Sequence, residues 1–332
     1  MRPQWTPVQR SLAPGAARRY SLPIPCPEPL VTLPFLDESR VAALLRLNEL
    51  IPAIRGALTA LSAGKIVQPV RSVVPVADHA GFFGVMPAYA GSALGAKLVT
   101  FYPANAGMPT HHAIIALFRP ETGEPLALMD GRLITELRTA AASAVATDLL
   151  ARADASVLAI LGAGVQAGSH LAALRLVRRF REVRVWSPRS AGAFAAAHGI
   201  TAAESAEAAV RGADVIVTAT SAKTPVLFGD WVTPGAHVNA VGATRPDWRE
   251  LDDALLGRAR VWVDSRDAAL VESGDAIAAG PRLVGEIGAV AGGTVRGRLT
   301  ADEVTIFKSL GVAVEDVVSA ELVWRRLAAL GG

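Results

Sequence analysis

Residues 160–170 read ILGAGVQAGSH, in which Gly162, Gly164 and Ala167 take the spacing G-x-G-x-x-A. A first glycine permits a sharp turn. A second leaves the backbone bare to a pyrophosphate, and a small third residue lets a helix close on the preceding strand. The apolar run SVLAIL leads directly into Gly162, and a helical segment opens near Val165. The free N–H groups of that helix start would then face phosphate oxygens. The chemistry such a turn serves is that of a nicotinamide dinucleotide; the plain alternative is a tight strand–turn–helix with no ligand.

The next strand selects between dinucleotides. EVRVWSPRS ends in Ser187, Pro188, Arg189 and Ser190, with Glu182 at its opposite end. An NAD site usually carries an acid there for the ribose 2′-hydroxyl. Arg189 instead offers a cationic fork to a 2′-phosphate, with Ser187 or Ser190 donating hydrogen bonds. NADP(H) is therefore the expected cofactor. NAD(H) stays open if Arg189 is only a solvated loop residue.

Four further residues interrupt their surroundings: Arg71 in the strand-like QPVRSVVPV, Lys97 at the opening of AKLVTFYP, His111 in MPTHHAI, and Arg138 in ELRTAA. Lys and Arg are rarely buried unless paired. Singly, each reads as an exposed or salt-bridged residue. Three cations in β or small-residue surroundings point instead to an anionic substrate.

The elements that would carry these residues are legible. Residues 37–58 hold apolar side chains at helical spacing, with Asp37 as N-cap, Gly64 as a stop and Pro52 as a division into two helices. Residues 66–129 read as short strands separated by Gly, Pro and Asn. An Ala-rich helix follows from Leu133 to Leu150. After residue 155 come SVLAIL, EVRVW, DVIVTAT, HVNAVG and RVWVDS, nearly all apolar, with helical segments between them. That is the rhythm of a doubly wound parallel sheet covered on both faces. An amphipathic helix closes the chain from about Val314 to Leu330, and pattern alone assigns it to neither part.

Composition bounds the function. The 332 residues are 51% hydrophobic and 19% charged, which suits two α/β domains with sizeable cores. No apolar run reaches the roughly 18 residues of a membrane span, so no membrane partner is expected. Residues 1–30 carry Arg2, Arg10, Arg18 and Arg19 against Glu28, which accounts for the net charge of +3. The rest is near neutral, with no basic stripe for nucleic acid. The seven prolines of that segment argue against a targeting helix and for a loosely packed extension. Cys26 is the only cysteine, consistent with a reducing, cytoplasmic setting. No metal site is expected.

The blocks QPVRSVVPV, GVMPAYA, KLVTFY, MDGRLITELRTAAASAVAT, ILGAGVQAGSH, LFGDWVTPGAHVNAVGATRPDWRELDD, VDSRDAALVESGD and FKSLGVAVEDVVSAEL run in order from Gln68 to Leu322. On these the sequence resembles the ornithine cyclodeaminase/mu-crystallin family, most nearly its ketimine-reductase branch. The resemblance implies a substrate-binding and dimerisation domain (31–135 plus 306–332), a Rossmann domain (136–305), and a homodimer. It implies that Arg71 and Arg138 hold a substrate carboxylate, that Lys97 is the active-site lysine, and that Glu272 lies near the substrate. It places Thr110, His111, Arg138, Val165, Gln166, Ser187, Arg189, Thr220, Val241 and Ser309 at or near the cofactor.

Two departures matter. Pro188 stands where close relatives run directly into their arginine, which puts the placement of Arg189 in question. Cyclising deaminases of the family carry a catalytic aspartate where this chain has Thr244. A hydroxyl cannot serve as a carboxylate base near neutral pH, and Asp247 is three residues away. The expectation is hydride transfer to a C=N carbon beside a carboxylate. That carboxylate would be held by charge-assisted, even bidentate, arginine bonds, with a proton from Lys97. The substrates implied are cyclic ketimines such as pyrroline-2-carboxylate or piperideine-2-carboxylate. Ornithine cyclodeamination, amino-acid dehydrogenation, or cofactor-dependent small-molecule binding without turnover are the alternatives.

Overall fold

Period-2 runs and Ala-rich stretches separate the chain into two sheets joined by one long helix. The computed structural model describes residues 33–331; the expected N-terminal extension (1–30) and Cys26 lie outside them. The first sheet holds β1 (Phe35–Leu36), β2 (Ser72–Val76), β3 (Gly81–Tyr89), β4 (Leu94–Phe101), β5 (His111–Phe118) and β6 (Pro125–Asp130), in the order β1-β6-β5-β4-β3-β2. Only the β1–β6 pair is parallel. The helices of this part are α1 (Glu38–Leu44) and α2 (Leu47–Ser62). Asp37 caps α1 by accepting the Arg40 N–H at 2.8 Å. Gly64, at φ +68°, follows α2 in the left-handed conformation that ends helices. The division falls at Leu45–Arg46 rather than at Pro52, which lies inside α2. So close to the helix start, its missing N–H forfeits a single bond, to Asn48, and the apolar face of Leu50, Ile51, Ile54 and Leu58 stays buried.

Helix α3 (Arg132–Leu150) links the sheets. Its run of Ala140, Ala141, Ala142, Ala144 and Ala146 is fully buried, so neighbouring elements approach closely. Two of its three buried hydroxyl residues stitch the seam. Thr147 Oγ1 accepts from Asn239 Nδ2 at 2.9 Å. Ser143 Oγ lies 2.9 Å from His170 Nε2, while His170 Nδ1 faces the Gln166 carbonyl at 2.7 Å. The carbonyl accepts only, so Nδ1 carries the proton and Nε2 accepts from Ser143.

The second sheet comprises β7 (Val157–Leu161), β8 (Glu182–Trp186), β9 (Thr201–Ala202), β10 (Val215–Thr218), β11 (His237–Ala240), β12 (Arg260–Val263), β13 (Leu283–Glu286) and β14 (Thr305–Lys308). Every pairing is parallel, in the order β13-β12-β14-β11-β10-β7-β8-β9. The connecting helices are α4 (Val165–Val177), α5 (Ala191–His198), α6 (Ala206–Val210), α7 (Asp253–Arg258), α8 (Arg266–Glu272), α9 (Gly274–Ala279) and α10 (Ile287–Ala291). This is the expected α/β class. Strand order reverses beside β7, between β8 and β10, and such a reversal opens a crevice beyond the strand ends. Strand β14, between β11 and β12, was not anticipated from its four residues. The boundaries expected at 135/136 and 305/306 fall inside α3 and β14. Helix α11 (Ala313–Ala329) packs against α2, α3 and β3–β5 of the first sheet.

Candidate active site

The glycine turn distributes its three roles as its spacing requires. Gly162 sits at φ +112°, and a Cβ there would collide with the Ala219 carbonyl oxygen. Gly164 faces open space, and Ala167 is fully buried against the sheet. Gly164 caps α4 without any side-chain bond. Ala167 N–H closes on the Gly164 carbonyl at 3.1 Å, and the N–H groups of Val165 and Gln166 ahead of it in this 13-residue helix remain available to an anion. Six of the other sequence-predicted cofactor residues follow adjacent strands at the same edge, whereas Thr110 and His111 lie at the start of β5 in the first sheet and Arg138 in α3. Ser187, Arg189 and Ser190 follow β8, Thr220 follows β10, Val241 follows β11, and Ser309 follows β14.

Two buried side-chain oxygens at this edge, Gln166 Oε1 and Ser309 Oγ, have no hydrogen-bond partner among the described residues. Orphaned buried polar atoms are uncommon and call for a partner. A bare glycine cradle, free helix N–H groups and these two oxygens together fit a dinucleotide. At the β8 end Ser187 Oγ and Ser190 Oγ lie 3.1 Å apart. Arg189 beside them is exposed, in no ion pair among the described residues. The only acid of that strand, Glu182, is occupied by Arg184 at 2.6 Å.

The cation cluster is built across the two sheets. Arg71 is the residue just before β2, not within a strand, and Lys97 is the fourth residue of β4, not the first. Lys97 pairs in register with Met86 and Ile115, both buried, so its side chain points into the core-facing side. It is 2% exposed, and Nζ meets Asp316 Oδ2 at 2.7 Å. Burial, reinforced by Arg138 and Arg71 and only partly offset by Asp316, pushes Lys97 down to about 8. Arg138, in α3, sends Nε to Asp316 at 3.1 Å and Nη1 to Glu315 at 2.8 Å. Arg71 sends Nε to Glu272 at 2.9 Å and Nη2 to the carbonyls of Leu310 and Gly311 at 2.8 and 2.7 Å.

One short stretch holds these parts together. The N–H groups of Leu310 and Gly311 donate to the buried Asp264 at 2.7 and 2.8 Å, while their carbonyls hold Arg71. Gly311, at φ +72°, leaves the space where a Cβ would strike the Arg138 guanidinium. Two residues earlier is Ser309, and five residues later Asp316. Burial raises Asp264 and Glu272, and pushes Glu315 up to about 8 against the pull of Arg138. Burial also works to raise Asp316, but Arg138 and Lys97 hold it below the usual carboxylate range.

A cavity of about 360 Å³ adjoins the cluster, lined in part by Arg71, Glu272, Met86, Gln68 and Gly311. His111, at the start of β5, stacks on Phe101 with centroids 4.4 Å apart, and Thr110 Oγ1 lies 3.2 Å from its Nδ1. Thr244 and Asp247 are exposed on the loop after β11, and the next residue after Thr244, Arg245, stacks on Phe82 of β3 at 3.7 Å. Four residues of this site escaped the sequence reading: Asp264, Glu315, Asp316 and the brace Glu250. Glu250 accepts from Thr218 Oγ1, Thr220 N and Thr220 Oγ1 at 2.7–2.9 Å. The available signal was a pair of acids, Glu315 and Asp316, at the start of an otherwise apolar helix face.

The chain is similar to known proteins over most of its length. The profile of the ornithine cyclodeaminase/mu-crystallin family matches residues 33–330. The chain is 50% identical over 302 residues to the ketimine reductase mu-crystallin of Mus musculus, covering 87% of this chain and 96% of the relative. The Δ1-pyrroline-2-carboxylate reductase of Thermococcus litoralis, solved with NADH and L-proline, superposes with a TM-score of 0.86 at 37% identity. The match covers 90% of this chain and 98% of that one. An archaeal alanine dehydrogenase, solved as a dimer with bound NAD, also superposes with a TM-score of 0.86, at 34% identity, covering 90% and 97%.

Proposed function

Because this chain belongs to the ornithine cyclodeaminase/mu-crystallin family and is a nicotinamide-dependent oxidoreductase of C=N bonds, we propose that it uses NADPH to reduce a cyclic ketimine carboxylate to the cyclic L-amino acid. The observation that carries this reading is the cluster of the half-buried Arg71 with the buried Lys97 and Arg138, set beside the strand ends that fit a dinucleotide.

Bound, the reduced nicotinamide supplies a hydride, with both electrons of its C4–H bond, to the imine carbon. The chain's own residues prepare that carbon. Arg71 and Arg138 anchor the substrate carboxylate. Each already spends two of its three guanidinium nitrogens on protein oxygens, so each contributes a single remaining nitrogen, Nη1 of Arg71 and Nη2 of Arg138. The carboxylate is thus bridged between two guanidinium groups rather than gripped by one bidentate fork. Lys97, mostly protonated at neutral pH, provides the proton of the imine nitrogen. The C=N π pair then withdraws onto a nitrogen that ends as the amine. Glu272, whose Oε2 is buried and unpaired, lines the substrate pocket behind Arg71.

NADPH is favoured by Arg189 and by the lack of a free acid at the end of β8. Reduction is favoured over ornithine cyclodeamination by Thr244, which offers no carboxylate base. A homodimer is favoured by the outer face of the first sheet, where Val85, Leu98 and Ile114 align in register, with Leu98 and Ile114 exposed. The test is a panel of cyclic imino acids and linear diamino acids assayed with NADPH, NADH and NAD⁺. NADPH oxidation with pyrroline-2-carboxylate or piperideine-2-carboxylate is the expected result. Ammonia and proline released from ornithine with no net NADPH use would replace this reading by cyclodeamination.

A further inference from the structure

Behind two of the three cations assigned to substrate, Lys97 and Arg138, lies one carboxylate that touches both. Asp316 is fully buried in α11, its Oδ2 2.7 Å from Lys97 Nζ and its Oδ1 3.1 Å from Arg138 Nε. Glu315, beside it, reaches only Arg138. Glu315 Oε1 and Asp316 Oδ2 are both buried without an aligned hydrogen bond, but only Asp316 Oδ2 has a cation, Lys97 Nζ, at ion-pair distance. The two acids are therefore not equivalent. A negative charge on Asp316 meets a cation at each oxygen, whereas a charge on Glu315 would leave half of itself unmatched in a dry site. Asp316 also lies near the N-terminus of a 17-residue helix, whose dipole favours an anion there.

We propose that Asp316 is a positioning residue of the reduction: its carboxylate keeps Lys97 protonated and aimed, and ties the proton donor to Arg138 so that both hold one geometry. This rests on the reading of Lys97 as proton donor. Asp316 acts through the two cations and does not contact substrate. The other charged groups around Lys97 are Arg138 on α3, Arg71 ahead of β2 and His111 on β5, all cationic or neutral. No second acid reaches Nζ among the described residues.

The test is Asp316→Asn, which keeps the side-chain shape and one accepting oxygen while removing the charge. In the wild type, kcat/KM declines above pH about 8 as Lys97 loses its proton. In Asp316→Asn the midpoint of that decline moves down by about one pH unit or more, because burial, Arg138 and Arg71 then act unopposed. The loss is accordingly larger at pH 8 than at pH 6. Asp316→Glu restores the charge and returns the midpoint toward the wild-type value even where kcat is lower. Glu315→Gln leaves the midpoint in place, since that acid does not reach Lys97.

Equal loss at every pH in Asp316→Asn would reduce Asp316 to a structural role and overturn the proposal. Should Asp316→Asn fail to fold, the Asp316→Glu and Glu315→Gln pair decides: a midpoint moved by Glu315→Gln and not by Asp316→Glu overturns it. A readout free of turnover runs in parallel, the NMR titration of the Lys97 Nζ signal, identified by its loss in Lys97→Met. The signal titrates at lower pH in Asp316→Asn if the proposal holds, and at the wild-type pH if it does not. If the wild type reduces no cyclic imine, the functional reading fails by itself, and the NMR titration still decides the role of Asp316.

Discussion

Replacing Arg189 by Ala separates the two dinucleotides. Arg189 is exposed at the end of β8 in no ion pair among the described residues, beside the paired hydroxyls of Ser187 and Ser190. Its guanidinium therefore meets a 2′-phosphate without first breaking an internal bond. A charge-assisted hydrogen bond in such a solvated place contributes about 1–2 kcal/mol, less than a buried one because water screens it. That corresponds to a roughly 5- to 30-fold fall in kcat/KM for NADPH. NADH lacks the 2′-phosphate, so its kcat/KM stays within about twofold. The assay is NADPH and NADH oxidation at saturating cyclic imino acid, at low and high ionic strength. The NADPH penalty shrinks at high salt, where the Debye length is ~3 Å at 1 M. An equal loss with both cofactors, or a wild type that prefers NADH, would refute the assignment of Arg189 and with it the NADP preference.

Gly311→Ala places a methyl group where the Arg138 guanidinium lies and strains a φ of +72°; kcat/KM for the imino acid falls by about tenfold or more while NADPH binding by fluorescence titration is retained, and unchanged kinetics would contradict the packing described. His170 and His237 are held down at about 4 and about 3 by burial. Both bind protons more readily unfolded, so stability is complete above about pH 6.5 and is lost as pH falls toward their folded values, each costing on the order of 2 kcal/mol at pH 5. A urea midpoint that does not fall between pH 7 and pH 5 would contradict this. Ile114→Asp, on the exposed row beside Leu98, shifts the sedimentation of the protein toward the monomer; a variant that sediments as the wild type would remove that face from the interface.

Much of the cofactor edge was legible because it is local. Gly162, Gly164 and Ala167 owe their roles to the backbone and neighbours within one strand–turn–helix, and the alternation of apolar strands and helices fixes where that unit sits. The cation cluster was legible only as types. Arg71, Lys97 and Arg138 stood out as charges in apolar settings, but their partners lie up to 240 residues away in sequence. No periodicity reveals that Leu310 and Gly311 turn their carbonyls to Arg71 and their N–H groups to Asp264. Strand β14 was hidden for a related reason. Its four residues TIFK include a lysine, and only in the folded sheet does Lys308 find the carbonyls of Ala240 and Gly242. The break before α2 went to Pro52 in the sequence reading because proline is the stronger breaker in general. Within the first two turns of a helix its cost is small.

The central claim is that Arg71 and Arg138 hold the acid group of a cyclic imine for reduction. The measurement that tests it most directly is the ratio of kcat/KM for pyrroline-2-carboxylate to that for 1-pyrroline, which lacks the acid, in the wild type and in Arg71→Ala. Two charge-assisted contacts at about 1.5 kcal/mol each give a wild-type ratio of roughly 100 or more, and the ratio drops by about tenfold in Arg71→Ala. A ratio near one in the wild type, or one that Arg71→Ala leaves unchanged, would contradict the account.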